Sequence, residues 1–576
     1  MRRGGWFTFV GTCVLAALTP RVSSAQHITI DGRLSPPQTL VGPNYTIGAN
    51  LGRQVGNNVF HSFGQFSLSN TPVPESATFT STGSTGPISN VIGRVTGGNA
   101  SSINGAIISS IPGANLYLIN PSGIVVGPNT TVNVAGSFHA STADYLKMGD
   151  GARFQATNPD GITFSAAPPA AFGFLNAQPA AILVNGGSIT TGVTTQTLDL
   201  VGGPVTITRG TLRAPAGTIE VTGAAGTGEV PVDSRNTAAL TVTNFAPVAI
   251  TNGSVLTAST PAGTSLGGGS VFIRSGSGLT IDGSTIAANN SGSGLGGQIV
   301  LQGNGQVSLL NGTSVQAVNS GTSSGNAVDI ATARAGSVTV DASTVISDSF
   351  SPGNAGRLAI STGSLRVTGG SALTNTARAS GTGGAIAIAA DTVLINSGSQ
   401  ISANTTSSGN AGEVSVAVSG PLTIDTSGGI FSQGNRGSTG NAGRVFVAAG
   451  SLSIFNNGII SVNDFGVGKA GSVAVAAGSL SIASGGQITS STFGPGNGGT
   501  VSVKVGGQLT IDATSAASAS VPTGISAQAN AGSTGNSGNI SVTAGALSVV
   551  NGGAISSSAL WSLRQPAAEQ RQCRVG

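Results

Sequence analysis

One pattern constrains this chain more than any other. A short strand-like piece, Gly or Ala followed by Gly, then two aliphatic residues at alternate positions, returns through the second half of the sequence. It is anchored at Gly269, Gly297, Gly336, Gly356, Gly384, Gly412, Gly443, Gly471, Gly499 and Gly538, with successive spacings of 28, 39, 20, 28, 28, 31, 28, 28 and 39 residues. A dominant unit of about 28 residues lies in the range of solenoid repeats. Each unit holds three apolar pieces, as in GRLAI from Gly356, SLRVTGG from Ser364 and SALTNT from Ser371. Within a piece, aliphatic residues alternate with Ser, Thr or Ala, so one set of side chains points inward and the other outward. A single coil cannot bury its inner face, whereas stacked coils bury it between neighbours and pair their backbones above and below. The expected fold is all-β, a right-handed parallel β-helix with three strands per coil. Ten anchors predict a rod segment of about 50 Å at the inter-strand spacing. Ser/Thr/Asn/Gly stretches such as NTTSSGN (Asn404 to Asn410) are expected at its corners, and DATSAASASVPTG, from Asp512, as a bulge in a longer unit.

Composition supports a solenoid over ordinary globular domains. Charged residues make up only 7% and aromatics 4%, while glycine contributes 91 residues, far from average usage. Setting aside Arg2, Arg3 and Arg21 near the start and Arg564, Glu569, Arg571 and Arg574 near the end leaves 17 basic and 18 acidic residues. No basic stripe with interleaved aromatics exists, so nucleic acid is not an expected partner. Cys13 and Cys573 both fall outside the central body, which therefore relies on no disulfide.

Residues 1–25 have Arg2 and Arg3, an apolar run from Trp6 to Leu18, and Ser23 and Ala25 at the positions preceding a cleavage site. They read as a secretory signal cleaved after Ala25. Further on, NLYLINPSGIVVGPN (Asn115 to Asn129) places two apolar runs around a four-residue corner. Pro121 fixes φ, Gly123 permits positive φ, and the Asn120 side chain can satisfy nearby backbone groups. This reads as strand, tight turn, strand.

These residues, with NVFHSFGQFSL (Asn58 to Leu68), ISNVIGRVTGGNASSINGAI (Ile88 to Ile107) and VNVAGSFHASTADY (Val132 to Tyr145), resemble the N-terminal secretion domain of the filamentous haemagglutinin family. The four blocks occur in the family's order over roughly 120 residues. The family's NPNGI hallmark stands here as Asn120-Pro121-Ser122-Gly123-Ile124, and its NPNL hallmark is not present. The resemblance implies two-partner secretion: export through the periplasm and a dedicated outer-membrane β-barrel transporter of a Gram-negative-type bacterium, to the medium or cell surface. It also implies an adhesin that meets a glycan or protein on a host or neighbouring cell. Asn120, Pro121, Gly123 and Ile124, with Asn58, His61 and Phe66, are the expected export residues.

The expected organisation is a signal peptide at 1–25, a secretion domain at 26–150 capped by its phenylalanines, an irregular β-helix extension at 151–260 and repeats at 261–559. An aberrant tail at 560–576, LWSLRQPAAEQRQCRVG, abandons the repeat as a truncated or frameshifted end would. The rival reading is a β-helix carbohydrate-active lyase or hydrolase. Such chemistry needs clustered titratable groups, whereas Asp282, Asp341, Asp425 and Asp512 come mostly one per coil and read as turn residues. His27, His61 and His139 lack metal-ligand spacing and read as strand-surface or capping residues. No enzyme activity and no cofactor is expected. A C-terminal translocating barrel and a charged toxin domain are likewise missing from the sequence given.

Overall fold

The alternating aliphatic residues stack into three ladders of parallel strands. In the computed structural model the described residues are 27–160, 163–192, 194–233, 235–514 and 522–559. The leader with Ala25, the tail from residue 560 and the middle of the DATSAASASVPTG bulge lie outside them.

The most regular ladder contains seventeen strands, from Asn44–Gly48 to Ala554–Ser556. One strand per coil gives a parallel β-solenoid of about 17 turns and, at the inter-strand spacing, a rod of about 80 Å. We call this the third ladder. The first runs through Asn90–Val95, Asn115–Ile119 and Thr197–Gly202, and the second through Ser101–Ile103, Ile124–Val126 and Val205–Thr208. Inward-facing Ile, Val and Leu form one continuous core; Ile386, Ile388, Val414 and Val416 in adjacent coils are at most 2% exposed.

The recurring glycine is explained by backbone crowding. A Cβ on Gly412 would lie 2.0 Å from the Gly384 carbonyl oxygen, and one on Gly384 would lie 1.8 Å from that of Gly356. Only a residue without Cβ admits so close an approach. Gly336, however, is not an anchor of this column. It precedes Ser337–Asp341, a strand of the second ladder, whereas the first-ladder strand of that coil is Ala327–Thr332. Asn326 takes the anchor place, with its amide donating to the Ala317 carbonyl and its side-chain oxygen accepting from the Gly297 N–H. With this correction the apparent spacings of 39 and 20 become 29 and 30.

The first coil is closed by antiparallel pairing. Ile28–Ile30 and Arg53–Val55 both pair antiparallel with Asn58–Phe66, which covers the strand edge that a bare solenoid would expose. Phe63, Phe66 and Phe79 fill the interior there, with ring centroids 5.1 and 6.2 Å apart along the series.

Between residues 142 and 247 the chain departs from a plain stack, so the first departure begins before the expected boundary at 150. At the corner between first and second ladders it makes two excursions, one after Phe138–Ser141 and one after Thr218–Gly223. Tyr145–Met148, Arg153–Gln155 and Pro169–Phe174 come from the first and Gly228–Pro231 from the second. They form one four-stranded antiparallel sheet. This sheet lies over the outward face of the first ladder and encloses a second core that includes Phe60, Ile92, Tyr117, Phe154, Phe172 and Val230. Consequently Asn90–Val95 is buried at every position, whereas Ala385–Ile395 in the repeats alternates exposed and buried over its first half.

Candidate functional site

The Asn120 corner joins Asn115–Ile119 to Ile124–Val126, as the sequence suggests. The two strands do not pair with each other: each lies parallel to strands of neighbouring coils, in the first and second ladders. The corner is therefore a bend of the solenoid and not a hairpin. Asn120 is fully buried. Its amide donates to the Asn99 carbonyl at 2.9 Å and to the Ser101 hydroxyl at 3.0 Å, and its Oδ1 accepts the Ser122 N–H at 2.9 Å. One side chain thus fixes its own turn and ties it to the coil below. Gly123 adopts φ +116, a conformation that L side chains resist. Ile124 sits in the main core, and Pro121 is half-exposed.

Asn58 starts a polar ladder on the outward face. The Asn115 amide donates to Asn90 Oδ1 at 3.0 Å and the Asn90 amide donates to Asn58 Oδ1 at 2.8 Å. The Asn58 amide then donates to the Ser165 and Ala167 carbonyls at 3.0 and 2.7 Å. This asparagine ladder fastens three coils to the segment that leads into the antiparallel sheet.

Of the two roles expected of the histidines, strand surface or capping, the strand-surface one does not hold for His61 and His139. His61 is 1% exposed inside the solenoid, its ring 5.9 Å from Phe63 and 5.8 Å from Phe79. Burial pushes its pKa down to about 4, so it is neutral at physiological pH. His139 lies beneath the antiparallel sheet, stacked on Tyr117 at 4.2 Å, with Nδ1 2.5 Å from the Asp199 carboxyl. Burial lowers the His139 pKa to about 3 and raises that of Asp199. Burial thus disfavours the charged form of both partners. Only His27 is partly exposed; its Nδ1 lies 2.9 Å from buried Glu75, which also accepts the Tyr45 hydroxyl. Phe66 belongs to the main core.

A buried cation, which the sequence pattern did not single out, completes the sheet attachment. Arg94 is fully buried, donating from Nε to the Ser62 hydroxyl at 2.8 Å and from Nη1 to the Gln155 carbonyl, and it lies 4.6 Å over the Phe154 ring. Burial lowers its pKa to about 10, which leaves it charged. Asp31 opposes it; burial would raise that carboxyl, but hydrogen bonds from Ser62, the Arg33 N–H and Thr96 hold it below its usual value.

Acid–base chemistry finds little support here. Asp282, Asp425 and Asp512 each accept the amide of an Asn one coil on, Asn311, Asn456 and Asn551, at 2.8, 2.9 and 2.9 Å. Asp341 accepts the Thr368 hydroxyl at 2.6 Å. They are turn residues spread along the rod. Among the described residues no group of three or more His, Cys, Asp or Glu could hold a metal ion.

The N-terminal coils, their closing strands and the two excursions form one continuous structure, and a family comparison matches it as a unit. Residues 26–269 match the TPS secretion domain. The chain carries, over residues 26–269, a two-partner secretion domain of the filamentous haemagglutinin type. The match runs through both the expected secretion domain and the stretch read as an extension. Among solved structures, the crystal structure of the HMW1 secretion domain from Haemophilus influenzae aligns at 19% identity, covering 69% of this chain and 93% of that one, with a TM-score of 0.45. No curated protein matches the chain. A two-partner secretion domain implies an outer-membrane transporter as partner and passage across the outer membrane of a Gram-negative bacterium.

Proposed function

We propose that the chain is an exported adhesin: an N-terminal signal takes it to the periplasm, its secretion domain engages the periplasmic domains of a β-barrel transporter, and the emerging rod meets a neighbouring cell. The observation that carries the export reading is the match of 26–269 to the TPS secretion domain. The adhesion reading draws on the rod itself, about 80 Å of rigid coils whose outward positions are largely Ser, Thr, Asn and Ala. Such a surface suits many weak polar contacts repeated along one axis. Sparse charge and mainly coil-to-coil contacts suit passage as an unfolded strand followed by sequential folding outside.

Asn120, Gly123, Ile124, Asn58, His61 and Phe66 are all buried or nearly so in the folded chain. Their proposed part in export is therefore in two stages, offered to the transporter while the chain is unfolded and then directing the first coils to form outside. The test is secretion of the full chain with and without the adjacent transporter gene, for wild type, Asn120→Ala and Pro121→Ala. Transporter-dependent appearance in the medium is expected, reduced strongly by Asn120→Ala and weakly by Pro121→Ala. Secretion without any transporter would overturn the export reading. Failure of the exported protein to increase adherence of cells that carry it would overturn the adhesion reading.

A further inference from the structure

The corner that follows the third ladder carries a row of exposed and half-exposed side chains in strict register. Each coil's residue there donates its backbone N–H to a carbonyl of the preceding coil: Phe350 to Asn319, Arg378 to Ser349, Thr406 to Ala377, Asn435 to Thr405, Phe465 to Gly434 and Phe493 to Asp464, all at 2.7–2.9 Å. Parallel bridges between the residues just before them continue through the same coils. The row is thus a rigid track with one side chain per coil, about 4.8 Å apart and roughly 24 Å from end to end.

Its chemistry is not what folding asks for. In other coils the same position holds Ser291, Ser320 and Asn530, so the corner forms without an aromatic. Yet Phe350, Phe465 and Phe493 stand there 54%, 37% and 42% exposed. Phe465 and Phe493 stack face to face at 4.6 Å and 18°, so the pair turns its ring edges outward as one apolar ridge. Phe350 at the other end is covered on one side by the Arg378 guanidinium at 5.1 Å. That guanidinium is neutralised by buried Asp348, 2.7 Å away. Between the two aromatic ends lie a hydroxyl and a carboxamide.

We propose that this track binds a neutral linear glycan laid along the rod axis. Pyranose rings offer apolar C–H faces that pack on the exposed edges of these aromatic rings, and their hydroxyls satisfy groups such as those of Thr406 and Asn435. A protein partner would ask for about 800 Å² of surface, more than a row one side chain wide supplies, and an anionic polymer for unpaired cations in the track. Because the backbone ladder fixes the track beforehand, little ordering cost falls on the protein when it binds. The proposal draws its biological use from the adhesion reading, though its chemistry stands apart from that reading.

The test is affinity electrophoresis of the secreted full chain through gels holding neutral polysaccharides (dextran, mannan, galactan, xyloglucan), with polygalacturonate as an anionic control. Wild type is expected to be retarded by at least one neutral polymer. Phe465→Ser combined with Phe493→Ser should weaken that interaction at least tenfold without changing the melting temperature. Phe446→Ser, on an exposed aromatic of the first ladder, should leave it unchanged. Retardation by polygalacturonate alone, by no neutral polymer, or equally by the double variant would overturn the proposal. Cell adherence without neutral-glycan binding would sink the track and leave the adhesin, whereas glycan binding without adherence would do the reverse.

Discussion

The two halves of the rod use the same inner core but opposite outer faces. One outward position can be followed along the first ladder through paired residues, Phe60, Ile92, Tyr117, His139, Asp199 and Glu220, then Phe272, Val300, Asp329, Ala359 and Ala387. In the secretion domain this column is large, aromatic or ionisable and is sealed under the antiparallel sheet. In the repeats it is mixed, running on through Ser415 to Phe446, and it is left open to water. A repeat coil rests on its two neighbours alone, while the N-terminal coils are also clamped from outside. The difference teaches that the secretion domain has a three-dimensional core, whereas the repeats approach one-dimensional stability.

The largest test of this comparison sets two substitutions in that single column against each other. Ile92→Ala removes a fully buried side chain from the second core and should cost about 2–5 kcal/mol. Ala387→Ser, at an exposed site, should stay within about 0.5 kcal/mol. Hydrogen exchange resolved by coil measures both. Similar losses at the two sites would mean that the sheet does not clamp the solenoid.

Next comes the spread of damage. At Gly412 a Cβ meets the Gly384 carbonyl, so Gly412→Ala should cost about 1–3 kcal/mol by overpacking. Exchange protection should fall in the flanking coils and recover within a few coils on either side. Removing the Asn58 amide by Asn58→Ala should cost about 1–3 kcal/mol, because the buried Ser165 carbonyl and the half-buried Ala167 carbonyl lose their donor. Here the loss should extend to the whole antiparallel sheet, read as new protease cleavage between 153 and 174. Damage confined to one coil in both variants would erase the distinction between the halves.

How much of this was legible in the sequence follows from the range of the contacts. The three-piece coil and the corner at Asn120 to Gly123 are local, written in alternation, Gly and Pro, and the structure contains both. The anchor column misled at Gly336 because a second-ladder strand there also begins with Gly and alternating valines, while the true anchor, Asn326, carries a Cβ and holds its place through side-chain hydrogen bonds to Ala317 and Gly297. The antiparallel sheet was not legible. Its central strand Pro169–Phe174 pairs with Gly228–Pro231, nearly sixty residues on, and neither segment has a period. His139 and Asp199 are likewise sixty residues apart, and only the coil register brings them together. An alignment of coils by register would have placed them in one column.

The smallest expected effect concerns a side chain that breaks the repeat's own grammar. At the corner before the exposed track, Asn290 and Thr405 each donate from the side chain to the carbonyl four residues on, Gly294 and Gly409, at 2.9 and 2.5 Å. Asp464 occupies the same place, fully buried, with no side-chain donor to its carboxyl and only the Gly466 N–H turned towards it. An ionised carboxylate cannot donate to a carbonyl, and burial raises its pKa from 3.8 to about 6. The folded chain therefore holds this proton more tightly than the unfolded one. The associated stability is complete below about pH 4, falls as the pH rises towards 6, and is gone at neutral pH. Asp464→Asn supplies a permanent donor, so it should stabilise this coil by about 1–2 kcal/mol at pH 7.5 and change little at pH 3.5. Exchange protection of Ile459–Ser461 at the two pH values measures it. Equal protection of wild type and variant at both would mean that the carboxyl is already satisfied, and the repeats would then tolerate a buried charge as readily as the clamped N-terminal half tolerates Arg94.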